Sequence, residues 1–142
     1  MQTIKYKKTH PLAKEPYQKY DTDACFDIYA VSKEDFGDGR IKYGIGLAFD
    51  LPKDTRLDLR PRSSIYKTGL MLPNSTATGD YSYTGEYFFI FYHVLSHLRP
   101  YEVGDRIGQI HIENVNKIKF QEVDKIPKKD RGNNGFGSTG NK

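Results

Sequence analysis

Asp80 and Tyr83 stand in "PNSTATGDYSYTGEY" (73–87), a polar, glycine-bearing stretch between two apolar runs. A carboxylate there can orient a water and take its proton, and a tyrosine ring can pack on a sugar. Asn74 adds an amide to the same stretch. Upstream, "PRSSIYKTGL" (61–70) sets Arg62 beside Ser63 and Ser64. A planar guanidinium fork next to short neutral donors is a way to hold phosphate. "DACFDIYA" (23–30) carries Asp27 among small and apolar residues, and "GDRIGQI" (104–110) places Gln109 inside an apolar run. Near the end comes "DRGNNGFGSTG" (130–140), where glycines let backbone N–H groups close on an anion and Ser138 and Thr139 add hydroxyl donors. It is not a Walker loop, because it lacks Gly-Lys-Ser/Thr. Taken singly, each stretch fits a plainer role: a strand opening, a serine-rich turn, a solvated hairpin, a frayed end.

The elements that must position these residues have a period of two. Ile45, Leu47, Phe49 and Leu51 alternate with Gly46, Ala48 and Asp50. Leu57 and Leu59 alternate with Arg56, Asp58 and Arg60, and Ile110 and Ile112 with Gln109, His111 and Glu113. Ile118 and Phe120 alternate with Lys117, Lys119 and Gln121. Each run predicts a strand with one buried face. "YFFIFYHV" (87–94) is continuously apolar and predicts a strand buried on both faces. Turn signals at 36–39, 51–54, 72–75 and 99–105 separate the runs, and no helical stripe spans three turns. The pattern predicts a single all-β domain, a sandwich or barrel over 1–124, with an arm leaving it over 125–142.

Composition narrows the function classes. The 142 residues suffice for a sizeable core, and 11 Tyr and 8 Phe favour strands. No apolar run is long enough to span a membrane, and no apolar leader opens the chain. The lone Cys25 rules out an internal disulfide framework and fits a reducing compartment, so a cytoplasmic location is expected, or the host cytoplasm for a virus-encoded protein. The net charge of +4 is spread among acids, and the basic run 125–129 fits a solvated linker. Nucleic acid is therefore not an expected partner, whereas a mild positive field suits a nucleotide. His10, His93, His97 and His111 have no metal-ligand spacing and are expected to be structural or solvated.

In this order and spacing, the five stretches together resemble the trimeric dUTPases (deoxyuridine triphosphate nucleotidohydrolases) from Asp23 to Gly140, with "RGNNGFGSTG" as the sharpest match. The resemblance implies a distorted jelly-roll or β-barrel fold (the dUTPase-like β-clip) with a C-terminal arm. It implies a nucleotide-metabolism hydrolase that converts dUTP to dUMP and pyrophosphate with Mg²⁺. Asp80 matches the catalytic aspartate, Asn74 the nucleoside-binding asparagine, and Tyr83 the tyrosine under the deoxyribose, where a ribose 2′-hydroxyl has no room. Arg62 and Ser63, with Ser64 beside them, match the phosphate-binding group, and Gln109 a further phosphate contact. Asp27 matches the acidic residue that meets the metal indirectly, through water. Arg131, Phe136, Gly137, Ser138 and Thr139 match the closing tail, with Phe136 over uracil and the polar groups on the terminal phosphates. A homotrimer with shared active sites is implied as well.

The chain departs from the family pattern at several places. Cys25 stands where glycine is usual, and Asn134 replaces a tail glycine. Ala77, Thr78 and Gly79 replace the usual glycine and two aliphatics before the aspartate, in the hairpin expected to read uracil through its backbone. A glycine beside Asp80 is expected to loosen that hairpin. Two other readings fit parts of the pattern. The related dCTP deaminases need a glutamate before Phe-Tyr in the strand after this hairpin, and Ile90 stands there in "FIFYH". A non-catalytic or regulatory nucleotide-binding module would have no use for Asp80 together with a full tail.

Overall fold

The computed structural model describes residues 1–142. It contains ten strands: β1 (Lys5–Lys8), β2 (Phe26–Tyr29), β3 (Ser32–Asp35), β4 (Arg40–Gly44), β5 (Leu47–Asp50), β6 (Thr55–Arg60), β7 (Leu70–Met71), β8 (Ala77–Gly79), β9 (Phe88–His93) and β10 (Arg106–Asn114). The one helical turn is a short 3-10 segment, Ser63–Lys67. Two four-stranded sheets have the orders β2-β10-β6-β8 and β3-β4-β9-β7, and β1 pairs with β5. All pairings are antiparallel. Both large sheets feed one apolar core: Ile28, Leu57, Leu59, Ile107 and Ile110 from the first, Ile41, Tyr43, Phe89 and Phe91 from the second. This is the expected all-β, jelly-roll-like architecture.

The alternation over 55–60 does what its period demands, since Leu57 and Leu59 face the core. Its outward face holds a surprise. Asp58 is only 3% exposed, although it points away from the core. Arg56 Nε lies 2.9 Å from one carboxylate oxygen and Arg60 Nη2 lies 3.2 Å from the other. Two long side chains, at i−2 and i+2 on one face of the strand, thus cover the acid between them.

Three strand expectations need correction. The run 45–51 forms a strand only over Leu47–Asp50, and it is not buried on one face alone, since Gly46 and Ala48 are buried along with Leu47 and Phe49. The run 87–94 is not buried on both faces: Phe89 and Phe91 enter the core while Phe88, Ile90 and Tyr92 stay exposed. The cause is topological, because β9 lies between β4 and β7 in a sheet whose second face carries no covering layer in this chain. The run 117–121 forms no strand, and Ile118 and Phe120 are largely exposed. The last strand ends at Asn114, after which the chain is held to the body by Val115 N donating to Asp54 O and by the Lys117–Asp54 ion pair.

Strand β10 is the spine of the first sheet, and one glycine and one bulge shape it. At Gly108 an added Cβ would meet the Phe89 ring and the Arg60 carbonyl, so only glycine lets the two sheets approach here. The register against β2 shifts between Arg106 and Gly108. That bulge turns Arg106 to the same outer face as Gln109 while Ile107 enters the core at 0% exposure.

Candidate active site

The predicted residues fall into three separate groups. The first is built where β2, β10 and β6 lie side by side. Asp27 pairs in register with Gln109, and Gln109 with Arg60, so the three share a row across the sheet. Directly after β6 the chain stays extended at Arg62 and then coils into Ser63–Lys67, which sets Arg62, Ser63 and Ser64 at the end of that row. Arg62 Nε lies 3.3 Å from Asp27 Oδ1, Arg106 Nη1 donates to Asp27 Oδ2 at 3.0 Å, and Gln109 Nε2 donates to Oδ1 at 3.4 Å. The Arg62 Nε proton lacks hydrogen-bond geometry to any partner although the atom is buried. One carboxylate therefore sits against two guanidiniums, leaving a net positive group suited to phosphate. Close by, burial pushes the Tyr101 phenol above its ordinary pKa, and the Arg62 charge works against that shift.

Arg106 belongs to this group and is absent from the sequence expectations. Strict alternation from Gln109 puts residue 106 on the inner face, and only the bulge brings it out. Tyr17 is a second addition. Its backbone bridges to Asp27, and the Arg106 guanidinium lies 5.8 Å from its ring centroid.

The second group follows the edge strand β8. Asp80 leaves the strand directly after Gly79 and is exposed, with neither a hydrogen bond nor an ion pair to its side chain. Tyr83 N donates to Asp80 O at 3.0 Å, closing a tight turn, and Tyr83 Oη donates to Glu86 O at 2.7 Å. A cleft forms here from Thr78, Gly79, Asp80, Tyr83, Glu86 and Tyr87. Asn74 is exposed in the turn before β8, where Thr76 N donates to its carbonyl. The third group is the tail. Its hydrogen bonds are internal: Arg131 Nε to Asn134 O at 2.8 Å, Ser138 N to Gly135 O at 3.1 Å, Gly140 N to Gly137 O at 2.9 Å. Phe136 is fully exposed with φ +51, and Arg131, Gly137, Ser138 and Thr139 are exposed around it.

Sheet order keeps the first two groups apart. Asp27 is on β2 and Asp80 follows β8, at opposite edges of β2-β10-β6-β8. Three strand spacings amount to about 14 Å, and the three-residue offset between the Arg60 and Leu57 rows adds about 10 Å along the strands. Arg62 lies just past the end of β6, beside β8, but six positions along from the row of Asp80, about 20 Å at the strand rise, so no single phosphorus can touch Arg62 and Asp80 of the same chain.

Asp27 fits a divalent cation only at one remove. Both of its oxygens already face guanidiniums, which oppose a dication in direct contact, while a hydrated ion held mainly by phosphate oxygens is compatible. Three of the four histidines are held locally: His93 Nε2 bonds Leu98 O, His10 Nδ1 accepts from Leu12 N, and His111 lies between Ala24 O and Glu113, while His97 is exposed.

Known proteins place the chain. The dUTPase family model matches residues 12–140. A relative from Clostridium novyi (strain NT), named deoxyuridine 5'-triphosphate nucleotidohydrolase, is 35% identical over 135 residues, covering 94% of this chain and 95% of its own. One of the same name from Helicobacter pylori (strain ATCC 700392 / 26695) is 33% identical over 141 residues, covering 96% of each. Among solved structures, a mutant dUTPase of Staphylococcus bacteriophage 80alpha with dUpNHpp superposes with a TM-score of 0.80 at 21% identity, covering 99% of both chains. A mutant dUTPase of the S. aureus phage phi11, described as coordinating a structural Mg(II) ion, gives 0.69 at 18% identity over 87% of this chain and 98% of that one. Fold, motif order and relatives agree, and the chain belongs to the dUTPase family.

Proposed function

We propose that the protein is a dUTP diphosphatase that releases dUMP and pyrophosphate. The observation that carries the reading is Asp80. Its carboxylate is exposed beside the cleft lined by Tyr83 and Tyr87 and has no partner in its own chain, so both oxygens are open to a water. Asp80 orients a water in line with the α-phosphorus and accepts its proton. The water oxygen bonds to phosphorus, the bridging oxygen to the β-phosphate departs with its electron pair, and pyrophosphate leaves. One positioned base contributes about 10²–10⁴-fold, so charge stabilisation must carry much of the rest. Arg62, Ser63, Ser64 and Gln109 bind the phosphate oxygens, and Arg106 holds Asp27 in place. Asp27 is the residue that would hold a hydrated Mg²⁺ brought in with the triphosphate, and the ion would supply charge neutralisation of the phosphate oxygens. Asn74 and the β8 backbone face the nucleoside, and Tyr83 packs on its sugar.

The separation of the groups supports a shared site in a homotrimer. The guanidinium group of one subunit would meet the Asp80 group of a second, and the tail of a third would cover the nucleotide with Phe136. The exposed apolar residues Phe88, Ile90, Tyr92, Ile118 and Phe120 provide surface for such contacts.

A nucleotide panel followed for pyrophosphate release, with and without Mg²⁺, tests the reading. Turnover of dUTP far above dCTP, dTTP and UTP is expected. Equal use of UTP and dUTP would remove the role given to Tyr83, and conversion of dCTP to a uracil nucleotide would point to deamination instead.

A further inference from the structure

The cleft beside Asp80 is floored by Tyr87, a ring only 6% exposed whose hydroxyl is buried without a hydrogen-bond partner. Its backbone is pinned at the start of the strand bearing Phe49 and in the connection before it, with Tyr87 N donating to Leu47 O and Ile45 N donating to Tyr87 O. On the core side the ring meets Phe49 edge-on, with centroids 5.9 Å apart. On the cleft side it meets Tyr83 at 5.0 Å and 80°. Its far end lies under Gly79, where an added Cβ would collide with the hydroxyl, Cε1 and Cζ of Tyr87. Gly79 does not have a positive φ, so its backbone torsions do not demand glycine. The demand comes from Tyr87. The hairpin that a glycine was expected to loosen is thus filled from below by a large ring.

Tyr83 projects over the cleft at 45% exposure and is held at two points. Its hydroxyl bonds Glu86 O, and its ring face is fixed by the edge of Tyr87. The first contact anchors the tip and the second sets the tilt. We propose that Tyr87 and Gly79 are a matched pair in which the Tyr87 ring positions Tyr83 and thereby sets the preference for deoxyribose over ribose. The proposal rests on the diphosphatase reading above. Its physical basis is that steric rejection of an added hydroxyl is a modest effect, and a ring free to yield would forfeit even that.

The test uses the full chain and four variants: Tyr87→Val, Gly79→Val, the double variant and Tyr87→Phe. Values of kcat/KM for dUTP and UTP are measured on the same preparation, so any unfolded fraction cancels in their ratio. Tyr87→Val should lower the dUTP/UTP ratio by about tenfold or more, mainly through a lower KM for UTP, with kcat on dUTP changed by less than about threefold. Gly79→Val should lower the ratio comparably, because its side chain displaces the ring. The double variant should return to within about threefold of the parent ratio, since the added valine refills the vacated space. Tyr87→Phe should keep the ratio within about twofold and unfold no earlier, because the lost hydroxyl had no partner. A parent-like ratio in Tyr87→Val would overturn the positioning role. A double variant no better than the worse single would overturn the matched pair. A parent protein that releases no pyrophosphate from dUTP would sink the diphosphatase reading instead. The pair would then be judged by melting temperature, where a double variant melting no higher than either single would overturn it.

Discussion

At the scale of single residues the contrast is between Asp80 and Asp27. Both are carboxylates in the same family pattern, yet one is unpaired and the other is gripped by Arg62 and Arg106. An unpaired carboxylate leaves both oxygens open to a water, which suits a base. A gripped one fixes the two guanidiniums that face it, which suits a support. Asp80→Asn keeps the shape and removes the proton acceptor. Turnover of dUTP should fall by about 10²–10⁴-fold while affinity for a non-hydrolysable dUTP analogue stays within a few-fold. Kinetics on one preparation and calorimetric titration of the analogue on the same preparation would check this, and near-normal turnover would remove Asp80 from the mechanism. Tyr87 shows where residue-scale reading of the sequence stops. Position 79 was legible as a departure from the family pattern, but the compensating ring lies eight positions away and shows itself only through its contact with Gly79.

At the scale of the elements, periodicity was a good guide to strands and a poor guide to what covers them. The alternation of 55–60 and 109–113 was legible, and the β6–β10 register confirms it. The run 117–121 has the same period but no strand to pair with in its own chain. The outer face of β9 is apolar without a covering layer for the same reason, since a side chain encodes a preference for burial and not the surface that provides it. A one-residue bulge is likewise silent in the sequence, so Arg106 was assigned to no role. Asp58 on β6 gives a stability prediction at this scale. Burial pushes its carboxyl up, but hydrogen bonds from Arg56 and Arg60 outweigh that and hold it below the ordinary 3.8. Its contribution is therefore full above that ordinary value and is lost as pH falls through the lower folded value. Both arginines are well exposed, so Asp58→Asn should cost only about 1–2 kcal/mol at neutral pH. Urea unfolding of both proteins should show the gap closing below pH 3.8. A gap that stayed constant into acid would mean that Asp58 is not the titrating group.

At the scale of the whole molecule the three groups lie apart in one chain, and the proposed site needs them together. The tail 131–142 adds nothing to the core, and its hydrogen bonds stay within the arm that begins at 125, the one leading out of the tail running from Gly132 N to Lys129 O. Closing it over a nucleotide orders a glycine-rich segment at about 1–2 kcal/mol of backbone entropy per residue, which phosphate contacts must offset. Deleting Arg131 to Lys142 should therefore abolish most dUTP hydrolysis while leaving assembly size and melting temperature nearly unchanged. Light scattering and thermal unfolding read the second half of that statement, and a large drop in melting temperature would show that the tail is structural. In a closed cyclic trimer every arm reaches a neighbour in the same sense, so tails and aspartates can be lent between chains. Tail-deleted chains mixed with Asp80→Asn chains should regain part of the parent activity, because some sites then combine an intact Asp80 with an intact tail. Each parent variant alone lacks one of the two in every site. Exchange of subunits has to be verified on the same samples, for example by mass spectrometry of mixed species. Mixed trimers without activity would show that each chain closes its own site. A protein that stays monomeric at assay concentration and still hydrolyses dUTP would show the same, and the distance between Asp27 and Asp80 would then have to close by a rearrangement within one chain.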